Sequence, residues 1–337
     1  MKKALLLFSG GLDSLIVALL FKREGVPFSA VYFDTPFFHS LENIRSLAHM
    51  HDIPLIVVDF WEDMQYIIKH PRWGYGRALN PCADCHFTMI KRAFEIMNAF
   101  GADFVVTGEV LGERPMSQRG EILESHMRLL GGFADLLLRP LSAKLLPPTR
   151  PVREGWVPES VLFDFRGRKR AHLIELARIL GAKFIPSPAG GCLLTEPVFA
   201  RKLCLVMRFL ENVPRDVVKV LTVGRHLWRE RDKVLLVVAR NREESEFLKL
   251  WRPNGWLLIE GIETGPVAIA VSFDRNSGAD ELAAVASFFS GKLRMAGKAK
   301  YKVDGVEVDV VPTEPGALGF LNLSQHEVFC HLKGREL

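Results

Sequence analysis

The sequence is poor in cysteine, with five among 337 residues. An odd number scattered over so long a chain excludes the dense disulfide framework of small secreted domains, and a reducing cytoplasm is the expected compartment. No apolar run approaches the roughly 18 residues that span a bilayer, so no membrane association is expected. Lys2 and Lys3 ahead of Ala4-Leu5-Leu6-Leu7-Phe8 could open a signal peptide. That run falls short of the about 7–15 residues of such a segment, Asp13 interrupts it, and no small-residue cleavage site follows. The stretch is expected to belong to the mature fold. Internal repeats and low-complexity tracts are missing as well.

What is present describes an ordinary globular protein, 48% hydrophobic and 25% charged, long enough for two or three domains. The net charge of +5 is unevenly spread. Lys144 to Lys183 holds nine basic residues against four acidic ones, and Arg201 to Arg240 is richer still. Such asymmetry suits either a polyanion partner or a solvated surface.

The first third alternates strand and helix. "ALLLF", "FSAVYFD", "PLIVVDF" and "DFVVTGE" read as strands. "SLIVALLFKRE" reads as a helix capped by Ser14, followed by helices at "SLENIRSLAHMH" and "PCADCHFTMIKRAFEIMNAFG", the last closed by Gly101. Such alternation predicts right-handed crossovers and a parallel sheet with ligands at the strands' carboxyl ends. Those ends are Ser9-Gly10-Gly11, Asp34-Thr35 and Thr107-Gly108-Glu109. The Pro-rich "LLPPTRPVREGWVPES" marks a boundary near 145–160, and "RKRAHLIELARILG" returns to helix. From about 215, short strands ("KVLLVVAR", "GWLLIEG", "PVAIAVS", "KVDGVEVDVV") surround helices near 242–251 and 279–290, which predicts a separate α+β domain. The expected division is 1–145, a nucleotide-binding catalytic domain; 146–213, a linker bearing Cys192; and 214–337.

"SGGLDS", residues 9–14, lies where the first strand becomes the first helix. Glycines there let backbone approach a ligand, and the helix N-terminus offers N–H groups to an anion. Ser9 and Ser14 can add donors, and Asp13 suits a Mg²⁺ bridging phosphates. No lysine follows, as a Walker A loop requires, and the spacing is not G-x-G-x-x-G.

"NPCADC" sets Cys82 and Cys85 at a helix start, where the helix N-terminus is expected to lower their pKa values. Zinc usually takes four ligands and no second C-x-x-C exists, so a redox dithiol is an alternative. Cys192 in "PAGGCLLTE" sits in a glycine-padded loop suited to an exposed thiolate, Cys204 reads as core, and Cys330 as incidental.

Ser9-Gly10-Gly11-Leu12-Asp13-Ser14 resembles the SGGxDS signature of the PP-loop ATP pyrophosphatases, which activate a carbonyl oxygen as its adenylate and release pyrophosphate. The resemblance implies an adenine nucleotide α-hydrolase-like fold, adenine and ribose contacts at Phe33 and Asp34, and a further nucleotide contact at Thr107-Gly108-Glu109. "NPCADCHFTMIKR" is similar to the Asn-Pro-Asp-x-x-Cys segment of tRNA 2-thiouridylases, with Cys82 at the family's Asp. It is more similar to the C-x-x-C of PP-loop tRNA thiolases that carry an iron–sulfur cluster. "ADFVVTGEVLGERPMSQ" and "PSPAGGCLLTEP" resemble a branch related to tRNA 4-thiouridine synthetases, over about residues 1–210. With neither an N-terminal RNA-binding extension nor a C-terminal rhodanese domain in the sequence, sulfur delivery by a fused rhodanese is not expected. The C-terminal region more faintly resembles an RNA-binding domain of 4-thiouridine synthetase relatives.

The resemblance implies ATP-dependent tRNA thiolation. ATP lies over SGGLDS with Mg²⁺ near Asp13, and a uridine carbonyl oxygen attacks the α-phosphate. Cys82, Cys85 and Cys192 hold a 4Fe-4S cluster whose fourth iron is open to sulfide, three thiolates suiting a catalytic rather than a structural cluster. In the competing version Cys192 carries a persulfide that Cys85 or Cys82 resolves. Arg166, Arg168, Lys169 and Arg170 are expected to hold tRNA phosphates. Sulfur is expected from a cysteine desulfurase or inorganic sulfide, and homodimerisation is left open. The rivals are a PP-loop amidating ligase using ammonia and a non-enzymatic iron–sulfur or RNA-binding protein.

Overall fold

The computed structural model describes residues 1–38, 40–186, 191–274 and 278–325, so Cys330 lies outside the described residues. The chain divides into two units, Met1–Leu193 and Leu194–Leu337.

In the first unit, β1 (Ala4–Leu7), α1 (Leu12–Arg23), β2 (Phe28–Asp34), α2 (Leu41–Met50), β3 (Leu55–Asp59), α3 (Trp61–Lys69), α4 (Cys82–Ile96) and β4 (Phe104–Val106) follow in turn. Then come α5 (Gly120–Leu130), β5 (Leu137–Leu138), the single turn α6 (Arg150–Arg153) and α7 (Ala171–Ile179). The five strands form a parallel sheet in the order β3-β2-β1-β4-β5. Leu6 of β1 pairs with Ala30 on one side and Val106 on the other. A strand covered on both faces reads as an unbroken apolar run, which is why Ala4, Leu5 and Leu6 are all fully buried. Ala4 and Leu6 share a core with Ile16, Leu20, Phe104 and Leu173. The order reverses between β1 and β4, so the crevice beyond their carboxyl ends is the switch point where such sheets bind ligands.

One local detail differs from the expectation and another agrees with it. Ser14 lies inside α1, whose N-cap is Gly11, and its hydroxyl donates back to the Gly11 carbonyl at 3.0 Å. Gly101 does close the helical segment after α4, in the left-handed conformation at φ 63°.

The second unit contains α8 (Pro197–Met207), α9 (Arg215–Val220), β6 (Arg225–Arg229), β7 (Val234–Val238), α10 (Arg242–Leu250), β8 (Leu257–Gly261) and β9 (Ala268–Ser272). It continues with α11 (Ala279–Phe288), α12 (Gly291–Ala296), β10 (Ala299–Val303), β11 (Val306–Val310) and β12 (Leu321–Asn322). Its strands form an antiparallel sheet ordered β11-β10-β8-β9-β7-β6-β12. Leu236, Ile259, Ala268, Tyr301, Leu282 and Val285 build its own core. The α+β expectation holds, with one correction. "KVDGVEVDVV" is a hairpin rather than one strand, because Asp304 (φ 45°) and Gly305 (φ 88°) make the two-residue turn that Asp-Gly favours. Among the described residues no helix is long and apolar enough to cross a membrane.

Candidate active site

The turn from β1 into α1 is shaped by its glycines. Gly10 has φ +74°, a left-handed conformation that favours glycine, and a Cβ there would also force Ile44 Cδ1, 2.3 Å away, to shift. The Ser9 hydroxyl accepts from Gly11 N at 3.3 Å and lies 3.3 Å from the Ser14 hydroxyl. Leu15 N makes a first helical bond to Gly11 O, and the amides ahead of it at the start of α1 have no carbonyl a turn earlier to bond.

The loop after β4 closes directly over this turn. A Cβ on Gly108 would stand 2.7 Å from Ser14 N and 2.8 Å from the Asp13 carbonyl carbon. The side chains on either side of Gly108 are committed elsewhere. Thr107 Oγ1 donates to Glu109 Oε2 at 3.1 Å, Arg139 Nε donates to the same oxygen at 2.8 Å, and His86 Nδ1 lies 3.2 Å from Glu109 Oε1. Burial would push the Glu109 carboxyl up, but Arg139, His86 and His126 outweigh it and hold the group well below the usual carboxylate range. The Glu109 carboxylate thus anchors the loop, and the backbone around Gly108 is what faces the α1 turn.

Asp13, in the first turn of α1, is mostly buried and its pKa is raised to about 6. Burial is the main cause, Glu113 adds to it, and Arg170 and Arg114 oppose it. The Arg170 guanidinium lies 3.6 Å from Asp13 Oδ1 and 3.9 Å from Glu113 Oε1. Asp13 Oδ1 and Glu113 Oε2 are buried and accept no hydrogen bond among the described residues. Of the basic stretch read as a phosphate-binding set, Arg166, Arg168 and Lys169 are exposed, whereas Arg170, the N-cap of α7, turns inward onto Asp13. The pairing of Gly167 N with Leu111 O at 2.8 Å holds that stretch against the Glu113 loop.

Phe33 is buried at the end of β2, its ring 5.2 Å from that of Phe60, and Asp34 beside it is partly exposed.

Cys82 begins α4. Asn80 Oδ1 accepts from Ala78 N at 3.1 Å, which orients the amide so that Nδ2 donates to Cys82 Sγ at 3.1 Å. Cys82, Cys85 and Cys192 are not in disulfides. The lowered thiol pKa values expected from the helix N-terminus do not appear. Burial pushes Cys82 up, against the Asn80 hydrogen bond, and pushes Cys85 up strongly, with the charges of Cys192 and Cys82 adding to it. Desolvation of a buried thiolate outweighs the helix end here. The same interactions place Cys192 and Cys82 within electrostatic reach of Cys85. The Cys192 segment is tied to the loop after β2 through Leu193 N and Phe37 O at 3.0 Å. Among the described residues no three His, Cys, Asp or Glu side chains are gathered as a metal ligand set. Cys204 is fully buried in α8, as its apolar neighbours suggest.

The sequence reading assigned nothing to Glu113, Arg139, His86 or Asn80. Asn80 directly precedes the Pro-Cys of the C-x-x-C, and Glu113 follows Glu109 by one helical turn's spacing, but neither spacing predicts the partner that gives the residue its role.

Residues 1–121 match the family model described as Thiamine biosynthesis protein (ThiI). A tRNA-specific 2-thiouridylase MnmA from Sulfurimonas denitrificans is 33% identical over 123 residues, covering 33% of this chain and 35% of that protein. A probable tRNA sulfurtransferase from Lysinibacillus sphaericus is 31% identical over 147 residues, covering 41% and 34%. The chain thus spans about a third of the length of the curated relatives it matches. A solved complex of a 4-thiouridine synthetase with RNA and bound ATP aligns at 19% identity and TM-score 0.27, over 53% of this chain and 51% of that one. Residues 1–121, which carry the SGGLDS turn and four of the parallel strands, are thus similar in sequence to the ThiI family model, and the chain to a tRNA-specific 2-thiouridylase and a probable tRNA sulfurtransferase.

Proposed function

We propose that the protein is an ATP-dependent tRNA sulfurtransferase that converts a uridine carbonyl to a thiocarbonyl in the cytoplasm. The observation that carries this reading is that one unit joins a nucleotide-type turn, Ser9 to Ser14, to three cysteines of which Cys85 feels the charges of both others. Its relatives' names supply the substrate class. A PP-loop amidating ligase would have no use for the thiols.

The reaction runs in two displacements. The uridine oxygen bonds to the α-phosphorus as pyrophosphate departs, which turns a poor leaving oxygen into AMP. Sulfur then bonds to the activated carbon as the carbon–oxygen bond to AMP breaks. The α1 N-terminus and the Gly10-Gly11 backbone bind phosphate, and Ser9 and Ser14 add hydroxyls. The close backbone approach of Gly108 to Asp13 and Ser14 packs the β4 loop against the α1 turn. The orphaned buried oxygens Asp13 Oδ1 and Glu113 Oε2 are the hard donors that Mg²⁺ prefers, so these two residues would hold it. Bound there, the cation neutralises phosphate charge.

For sulfur handling, Cys82, Cys85 and Cys192 are the right donors in kind for a 4Fe-4S cluster, but their thiols are not gathered to ligand distance. A cluster would supply an open iron for sulfide. No step is drawn through it, and a persulfide on Cys192 resolved by Cys85 or Cys82 uses the same residues. Asn80 supports sulfur charge at Cys82 by its hydrogen bond. Arg166, Arg168 and Lys169 would hold tRNA phosphates, and the second unit would dock the rest of the tRNA.

The test is anaerobic incubation with tRNA, ATP, Mg²⁺ and sulfide, followed by mass spectrometry of the nucleosides. Thiouridine formed together with AMP and pyrophosphate supports the reading. ATP cleavage with ammonia and no tRNA would replace it with an amidating ligase.

A further inference from the structure

Arg170 was grouped by sequence with its exposed neighbours, yet the fold separates it from them. It is the N-cap of α7, which packs against α1, and its side chain is 13% exposed. Its charge lies between two carboxylates at the mouth of the phosphate-type turn, 3.6 Å from Asp13 Oδ1 and 3.9 Å from Glu113 Oε1. Both separations are longer than a direct hydrogen bond. With these two carboxylates Arg170 therefore makes ion pairs rather than a hydrogen-bonded fork.

The electrostatic balance of the site shows what this arrangement can do. Asp13 and Glu113 contribute two negative charges, and Arg170 and Arg114 two positive ones that act on Asp13. Without a ligand the cluster is close to neutral. A nucleotide triphosphate at the α1 N-terminus brings several negative charges to the same place. A guanidinium with planar, forked donors is the side chain best matched to phosphate oxygens.

We propose that Arg170 is a ligand of the nucleotide's β- and γ-phosphates, held on Asp13 and Glu113 until ATP binds, and not a contact to RNA. This rests on the nucleotide reading of the SGGLDS turn. As Arg170 turns from Asp13 Oδ1 to phosphate, it exposes that oxygen to the cation that accompanies ATP, so the same movement prepares both partners of the triphosphate. Leaving-group charge on pyrophosphate would then be met by a side chain from α7, linking nucleotide binding to the basic stretch Arg166 to Lys169 that precedes it.

The test uses the full-length protein as wild type, Arg170→Ala and Arg170→Lys. Three quantities are measured: affinity for ATP with Mg²⁺, affinity for AMP, and the salt dependence of tRNA binding. Loss of one charged hydrogen-bonding group should weaken ATP binding by about tenfold in Arg170→Ala. AMP binding should change much less, so the ATP-to-AMP preference falls. Arg170→Lys, which keeps the charge without the fork, should recover part of the loss. The tRNA salt slope should stay at the wild-type value. A purely structural role would lower both nucleotides alike and overturn the proposal. So would an unchanged ATP affinity in Arg170→Ala, or a tRNA slope flattened by about one unit, the signature of a lost RNA phosphate contact. If Arg170→Ala does not fold, Arg170→Lys carries the same test, and an ATP-to-AMP preference equal to wild type overturns it. Wild-type protein that binds no ATP would defeat the nucleotide reading itself; binding that ignores Arg170 would defeat this proposal alone.

Discussion

Gly108 stands so close to Ser14 that a methyl group on it would lie 2.7 Å from the Ser14 amide nitrogen. The β4 loop and the α1 turn come from distant parts of the chain and meet backbone to backbone. Gly108→Ala should push the α1 turn out of place at a cost of about 1–3 kcal/mol. The variant is expected to stay folded, with ATP affinity and ATP-dependent turnover both reduced. Wild-type affinity measured by equilibrium dialysis would show that the turn does not need this contact.

Arg139 and Glu109 form a buried pair whose side chains are each 4% exposed. Arg139→Met leaves the carboxylate without its main compensation, and the expected cost is about 3–5 kcal/mol. Replacing both residues, as Arg139→Met with Glu109→Leu, should cost far less than the single change. Denaturant unfolding of Arg139→Met, Glu109→Leu and the double variant closes the cycle, and additive losses would refute the coupling.

His126 makes stability depend on pH. It is fully buried, between the rings of Trp73 at 5.1 Å and Phe87 at 5.5 Å, and its pKa is lowered to about 4, chiefly by burial. The unfolded chain binds a proton below about 6.5 that the folded chain refuses until about 4. Stability should therefore fall as pH drops through this window, by about 2 kcal/mol between pH 7 and 5. His126→Phe should remove this part of the slope, as urea unfolding of the amino-terminal unit at the two pH values would reveal.

Asp13→Asn removes a charge and little volume. The expected result is loss of ATP-dependent turnover with the fold intact, checked by AMP release and circular dichroism. Turnover equal to wild type would remove Asp13 from the phosphate and metal site.

Cys82→Ala, Cys85→Ala and Cys192→Ala should each abolish thiouridine formation. Under anaerobic reconstitution with iron and sulfide the wild type should turn brown, and each variant should not. A colourless active enzyme would favour the persulfide route through the same cysteines.

Much of this was legible in the chain before any fold. The strands ending at Ser9, Asp34 and Thr107 are apolar runs bounded by polar residues, and a run buried on both faces needs no partner to be recognised. Gly10 could be read as a special position because a left-handed turn depends on local backbone alone. Hidden from such reading were the residues whose roles depend on partners far away in sequence. Asp304-Gly305 is by contrast a local signal, an Asp-Gly pair between two alternating runs that marks a hairpin turn. Arg170 was different, since nothing in "RGRKR" separates it from Arg168. Its direction is set by the packing of α7 on α1, which brings Asp13 to its side chain. The thiols show the same division: the C-x-x-C spacing fixed where Cys82 and Cys85 lie on α4, while burial against the rest of the unit reversed the expected sign of their ionisation. Short-range geometry is written in neighbouring residues; solvation and charge environment belong to the folded chain, because only folding decides which groups leave water and which charges they meet.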